Sequence, residues 1–587
     1  MGEKNLFFNI WFIYFLLLFT IPILLMFQGL DITDTGWVLS NYQHIFKDPE
    51  SVSYWFHLWL PNIVGGAWNL LFPDFGLISY RLAGVLIFWV TSFLVYLIYK
   101  DILPKEYILL GLVLGMVFHF AGKITVIHYN NLTTLFLVLG VYILNLGLKN
   151  NSNTKIFFAG FIFALNGFVR LPNILGILFV SIIIYHMKKK KQSVKKGLPA
   201  VILFIMGGCF SLAVAVGIMS ILGHLPIYWE SVKALLISTR EEFSHYKSTS
   251  LEKKFFYDHA RALFSSFILL LVFYFINNIS IYKKHYSIRL LFHAGMALLV
   301  LGSTYFILYS ESMVLVYPMV GLIYLTCLFI VGTLGVTFHD HTLIAYSVVI
   351  SLGILSIGSD TGMKVASYGL LLGFPLLFWF WRFVPDIHIS YETNLDRSSL
   401  IHSRYCISQF DRRRILMSIL FLYVAFSIPL LYRDTYRDHP DRWRMNRPVS
   451  HPLLKGIFTT SERAVAIEEL LSVLTNYVKP GDFLLTYESI PMIHYLTKTR
   501  SYVYNPWSIL YLPTEYEKAL QKARVERREL PVVVLSKTQS RSPHWPNSGP
   551  VSSTETAKMN RKHLYAYLDQ NNYRTVWENR VFKVLIP

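Results

Sequence analysis

The sequence predicts a polytopic α-helical membrane protein with a small α/β domain at its C-terminal end, and three observations carry that prediction. Apolar runs long enough to cross a bilayer recur from Leu6 to Tyr432, in a composition that is 54% hydrophobic with a mean hydropathy of +0.44. Basic residues gather in short loops between those runs. After Tyr432 the pattern changes, as Arg433, Arg437, Asp438, Asp441, Arg442 and Arg444 arrive in quick succession. The chain therefore divides into a membrane module, 1–432, and a C-terminal segment, 433–587, of about 150 residues, enough for one small soluble domain.

Apolar length and periodicity predict about thirteen spans, near 6–27, 79–99, 107–122, 132–148, 156–171, 173–187, 198–222, 260–276, 289–309, 313–331, 342–357, 366–384 and 414–432. No small-residue cleavage site follows Leu6–Phe27, so the first run is expected to be a retained helix rather than a signal peptide. The formal net charge is +19, but its densest clusters, Lys188–Lys191 with Lys195 and Lys196, and Arg412–Arg414, lie beside apolar runs. Such clusters set topology by facing the cytoplasm and anionic lipid, and they argue against nucleic acid as a partner. With the N-terminus inside, the basic loops 100–106, 149–155, 188–196, 277–289 and 385–414 all fall on the cytoplasmic side. The outer side then holds 28–78, 223–259, 358–366 and everything after Tyr432; in a bacterial inner membrane that side is the periplasm. Cys209, Cys327 and Cys406 offer neither a disulfide framework nor a zinc spacing.

The first outer loop, 28–78, is long and carries Trp37, Trp55, Trp59 and Trp68. Apolar residues at helical spacing predict one or two helices lying in the interface, with the tryptophans as an aromatic belt. In the C-terminal segment, helices are expected at 461–477 (capped by Ser461), 514–528 and 558–570. Strands are expected at 483–487 and 531–535, with a hairpin over 575–585. Alternating helix and strand predict an α/β domain, and it contains no phosphate loop or nucleophile elbow.

Chemistry points first to Asp31-Ile-Thr-Asp34-Thr-Gly-Trp37, a carboxylate pair directly after the first span. Carboxylates at a bilayer surface suit general-base chemistry on a lipid-linked substrate. The plain alternative is a helix cap, with Asp34 capping a helix that opens at Thr35. Gly36 offers a place for backbone to approach substrate.

A carboxylate in the first outer loop, about thirteen spans and a C-terminal outer domain together resemble the GT-C superfamily of polyprenyl-phosphate-sugar-dependent glycosyltransferases, which includes lipid A aminoarabinose transferases and protein O-mannosyltransferases. Locally, Asp34-Thr-Gly36-Trp-Val-Leu39 is similar to that family's Asp-Glu-Gly-aromatic-x-Leu pattern; Thr35 stands in place of the second acid, with Asp31 as the substitute. The resemblance implies sugar transfer from a polyprenyl-phosphate donor to a glycan, lipid or protein acceptor on the outer face. It also implies inversion, with Asp34 as general base and Asp31 in support.

The departing phosphate needs cations, and Arg170, Lys364, Arg240 and Arg81 stand at outer membrane ends; an arginine there can equally just snorkel. Arg170 interrupts apolar sequence on the side without the positive-inside bias. Trp37, His128, Tyr129, Asn130 and Asp360 are expected to line the substrate cavity. His128 lacks a neighbouring ligand at metal spacing, so no metal site is predicted, although a divalent metal remains open as a cofactor. Asn130 or Asn131 is the expected cap of the following helix, and Asn131-Leu-Thr133 is too close to the bilayer for a glycosylation acceptor. The rival readings are a transporter or flippase of lipid-linked saccharides, for which no repeated halves are visible, and a scaffold subunit, which leaves the carboxylate pair unexplained.

Overall fold

The computed structural model describes residues 2–191, 194–239, 247–278, 313–333, 339–383, 430–527, 529–551 and 554–587. The expected span 289–309, most of 414–432, and the candidate Arg240 lie outside them.

Helix α1 (Gly2–Leu25) is followed by α2 (Asp34–His44), a 3₁₀ stretch Pro49–Trp55 and α3 (Trp59–Leu71). Then come α4 (Gly76–Tyr99), α5 (Lys105–Phe120), α6 (Tyr129–Lys149), α7 (Asn153–Leu165), α8 (Val180–Lys189), α9 (Val194–Ile221), α10 (Leu225–Ser238) and α11 (Ser248–Asn278). After the next described stretch begin α12 (Met313–Thr333), α13 (His339–Ser356) and α14 (Leu370–Phe383). Among the described residues, five helices are long and apolar enough to cross a membrane: Gly76–Tyr99, Tyr129–Lys149, Leu171–Lys189, Gly197–Ile221 and Gly362–Phe380. Phe12–Leu25 and Val316–Gly332 are apolar but shorter. The expected span 156–171 gives way early: α7 ends at Leu165, and Asn166–Phe168 turns as a 3₁₀ helix before Arg170-Leu-Pro172. Proline at the second position of a new helical segment explains the break, since it has no N–H to offer the preceding turn.

Segment 28–78 contains helices as expected, and α2 is covered by the rest of the protein. It is buried over Thr35–Tyr42 and again at His44. It packs between α3 and a C-terminal helix, which bury its polar Ser40, Asn41 and His44 along with Trp37, Val38, Leu39 and Tyr42. Of the tryptophans, Trp37 and Trp59 are buried, and the Trp59 indole donates to His224 Nδ1 at 3.2 Å.

C-terminal to Leu430, a two-stranded antiparallel ribbon, β1 (Arg447–Pro448) and β2 (Phe458–Thr459), precedes α15 (Ser461–Leu474). The remaining order is β3 (Phe483–Tyr487), α16 (Met492–Thr497), β4 (Arg500–Ser501), α17 (Pro513–Arg527), β5 (Val532–Ser536), α18 (Glu555–Gln570), β6 (Arg574–Glu578) and β7 (Phe582–Ile586). The five-stranded sheet runs β4–β3–β5–β7–β6; the first three strands are parallel, and β7 and β6 are antiparallel to their neighbours. The expected strands and helices appear within a few residues. The cap of α15 is Thr460, whose hydroxyl accepts from Arg463 N, rather than Ser461, the first helical residue.

The C-terminal sheet region is welded to the chain leaving α1. Phe458 N donates to Phe27 O at 2.8 Å, Gly29 N to Phe458 O at 2.9 Å and Met492 N to Ile32 O at 3.1 Å. A single apolar cluster contains Leu30, Trp37 and Leu39 together with Met492, Ile493 and Trp507. Gly36 belongs to this contact: a Cβ there would overlap the backbone and side chain of Met492. Its small size admits α16, not substrate.

Candidate functional site

The two carboxylates after α1 have opposite surroundings. Asp31 is buried, and both its oxygens are occupied by the start of α2. Oδ1 accepts from Thr33 N at 2.9 Å and Thr33 Oγ1 at 2.6 Å, and Oδ2 accepts from Thr35 N at 2.7 Å. A carboxylate satisfying amides in the first turn is the capping arrangement, favoured further by the helix dipole. Asp31, not Asp34, therefore holds the start of α2, from two residues before its N-terminal cap position, Thr33.

Asp34 is the first residue of α2, and its side chain is 19% exposed. Its Oδ2 takes every contact recorded for the carboxylate: an ion pair with Arg437, a hydrogen bond from Tyr436 Oη at 2.8 Å, and a long one from Thr33 Oγ1 at 3.4 Å. Among the described residues Oδ1 has no hydrogen-bond partner. Arg437 also donates to Thr33 Oγ1. Burial works against the Arg437 charge, and Asp34 foremost more than offsets it, holding the guanidinium above its ordinary value. Burial and Asp34 raise the Tyr436 phenol well above its usual range, so it stays a neutral donor.

Trp507 forms one wall. The Arg437 guanidinium lies 5.6 Å from its ring centroid and that of Arg541 4.9 Å, both within cation–π range. Trp37 packs against the same ring at 6.4 Å and against Trp55 at 5.6 Å. Arg541 is anchored through Nε to Ser489 Oγ at 3.1 Å.

The remaining sequence candidates fall into two groups. Tyr129 is placed with Asp34: it lies within electrostatic reach of Asp34, Asp360, Arg170 and Arg437. Asp360 is exposed and accepts Lys254 Nζ through its backbone oxygen. His128 is beside them but acts as the cap of α6. Its Nδ1 accepts from Asn130 N at 3.4 Å, while Asn131 Oδ1 accepts from His128 N at 2.9 Å. The expected cap, Asn130 or Asn131, is thus the reciprocal partner. Burial pushes His128 down to about 3, with Asp31 pulling the other way, so the imidazole is neutral.

Two of the expected phosphate cations donate to backbone carbonyls. Arg170 donates through Nη2 to the carbonyls of Ile354 (2.8 Å), Leu355 (3.1 Å) and Ile357 (3.2 Å), closing the C-terminal end of α13. Arg81 donates to Met26 O at 2.7 Å, Gln28 O at 3.2 Å and Gly29 O, holding the segment that leaves α1. Carbonyls left over at a helix C-terminus attract a cation wherever one is in range. Lys364 O accepts from Lys123 Nζ at 3.1 Å. Among the described residues, no group of three or more His, Cys, Asp or Glu could hold a metal.

Sequence reasoning missed Tyr436, Arg437, Trp507 and Arg541. The charge run after Tyr432 marks the domain boundary, and it also holds Arg437, the partner of Asp34. Comparison with known protein-family models finds no match, and comparison with curated proteins likewise finds none.

Proposed function

We propose that the protein is a GT-C type membrane glycosyltransferase, moving a sugar from a polyprenyl-phosphate donor to a glycan, lipid or protein acceptor. The observation that carries this reading is Asp34: a partly exposed carboxylate with one oxygen held by Arg437 and Tyr436 and the other without a partner among the described residues, at the junction of membrane helices and C-terminal sheet. A carboxylate used only to hold structure engages both oxygens, as Asp31 does.

In this reading the acceptor hydroxyl attacks the anomeric carbon and its proton passes to Asp34 Oδ1. The new glycosidic C–O bond forms as the bond from the anomeric carbon to phosphate oxygen breaks, and the lipid phosphate leaves with the electron pair. One displacement inverts the anomeric centre. Phosphate is already a competent leaving group, so the protein supplies position, a base and positive charge near the departing oxygen. The site faces outward, the periplasm of a bacterial inner membrane, and 433–587 is a domain on that side. The charge asymmetry of the loops supports this orientation.

The test is sugar transfer from polyprenyl-phosphate donors in vesicles. Asp34→Asn is expected to lose about 10²–10⁴-fold in turnover, the usual share of a general base. Near-normal transfer by a folded Asp34→Asn protein would sink the reading. A transporter of lipid-linked saccharides is the second reading, favoured by two spans, Leu171–Lys189 and Gly362–Phe380, that each open with 3₁₀ turns. Donor translocation without transfer, unaffected by Asp34→Asn, would select it.

A further inference from the structure

The C-terminal sheet has parallel strands in the order β4–β3–β5, so the chain moves from β3 to one side and then crosses to the other. In open α/β sheets this reversal leaves a crevice at the carboxyl ends of the strands, where anionic ligands are commonly held. Three segments leave those ends here. Glu488 and Ser489 follow β3, Trp507 follows β4, and Arg541 follows β5. They are tied together: Ser540 Oγ donates to Ser489 O at 2.6 Å, Ser508 Oγ to Thr486 O at 2.6 Å, and Arg541 Nε to Ser489 Oγ at 3.1 Å. This carboxyl edge is the one that meets Asp34 and Arg437, through Trp507.

The charges at this edge do not cancel. Arg437 is paired with Asp34, and Arg561 with Glu488 at 3.2 Å. Arg541 makes no ion pair within 4 Å among the described residues, and it is exposed. With Nε on Ser489, its other guanidinium nitrogens remain to meet an incoming ligand, in the forked geometry that suits phosphate oxygens. Trp443, 80% exposed, lies 6.3 Å from Tyr432 in a tilted ring pair, and exposed Trp and Tyr of this kind are enriched at headgroup level.

We propose that Arg541, with Arg437 beside it on Trp507, forms a phosphate-binding site at the carboxyl edge of the C-terminal sheet, and that it takes the phosphate of a polyprenyl-phosphate lipid. The C-terminal region thereby completes the site rather than accompanying it. An arriving phosphate competes with Asp34 for Arg437 and leaves the carboxylate less encumbered. This inference rests on the reading of the protein as acting on lipid-linked phosphate, and its test reads binding alone.

The full chain in nanodiscs is titrated with bare polyprenyl phosphate, with unphosphorylated polyprenol, with inorganic phosphate and with phosphatidylglycerol. Arg541→Ala is expected to weaken polyprenyl phosphate binding by roughly tenfold to a hundredfold, the usual loss of a charge-assisted contact, and to leave polyprenol unchanged. Arg574→Ala, which removes an equal charge from the exposed edge strand β6, is expected to bind as the parent does. Unchanged affinity in Arg541→Ala overturns the proposal. So do an equal loss in Arg574→Ala, a parallel loss for phosphatidylglycerol, and inorganic phosphate binding as tightly as the lipid. If Arg541→Ala does not fold, Arg541→Lys keeps the charge without the fork and is expected to bind several-fold more weakly; unchanged affinity there is equally contrary. Transfer by Asp34→Asn is measured separately, so a failed binding result leaves the base assignment standing, and the reverse also holds.

Discussion

The arginines of the membrane module and those of the C-terminal region face different things. Arg81 reaches the backbone carbonyls of the segment leaving α1, and Arg170 those at the end of α13. Arg437 and Arg541 meet a carboxylate, a serine hydroxyl and the face of Trp507. The contrast teaches that a cation's place along a membrane chain says little about its task. What matters is whether an unsatisfied helix end lies within its reach.

A third arginine bounds the comparison with the largest expected effect. Arg463 is fully buried in the C-terminal region, 3.2 Å from the fully buried Asp438, and its Nη1 donates to Leu30 O at 2.9 Å. Asp438 in turn accepts from Leu30 N at 2.5 Å and Thr459 Oγ1 at 2.7 Å. Arg463→Ala strands a buried carboxylate and is expected to destabilise by about 3–5 kcal/mol, read by unfolding in detergent. A loss below about 1 kcal/mol would mean that the neutral donors suffice for Asp438.

Glu488 follows in size. Burial raises its carboxyl to about 7 from an ordinary 4.5, against the pull of Arg561 and Arg541. The folded state thus holds its proton more tightly than the unfolded chain does. Its contribution to stability is complete below about pH 4.5 and is lost as pH rises through about 7, a change on the order of 3 kcal/mol. Glu488→Gln should flatten stability over that window, and an unchanged slope would place the titration elsewhere.

Arg170→Ala is expected to cost about 1.5–3 kcal/mol through the α13 carbonyls while folded protein binds polyprenyl phosphate normally. The reverse outcome, full stability with weakened binding, would move Arg170 into the phosphate site and erase the contrast with Arg541.

Much of the C-terminal fold was legible from the chain. Pro480-Gly-Asp482 announces β3, the valine run announces β5, and the hairpin of β6 and β7 is marked by Asn579-Arg580. Periodicity and turn chemistry are local signals. Helix α16 was not legible: Met492–Thr497 is only six residues long, too short for a helical period to stand out, and its partner is α2, far away in sequence. The site divides along the same line. Asp34 was visible because it follows a span directly, whereas Arg437 and Arg541 reach it through tertiary packing that no local pattern encodes. That Asp31 rather than Asp34 holds the start of α2 was equally hidden, because spacing shows no side-chain hydrogen bonds.

The most direct measurement puts those two carboxylates side by side. Asp31→Asn and Asp34→Asn are each assayed for thermal stability and for sugar transfer from polyprenyl-phosphate donors at a temperature where both are folded. The predicted result is a difference in transfer. Asp31→Asn loses stability, about 0.5–2 kcal/mol for a weakened cap, and keeps most of its transfer. Asp34→Asn also gives up some stability, because Arg437 loses its carboxylate, but it is set apart by a loss of about 10²–10⁴-fold in turnover. Equal transfer by the two folded variants would contradict the assignment of Asp34 as the base.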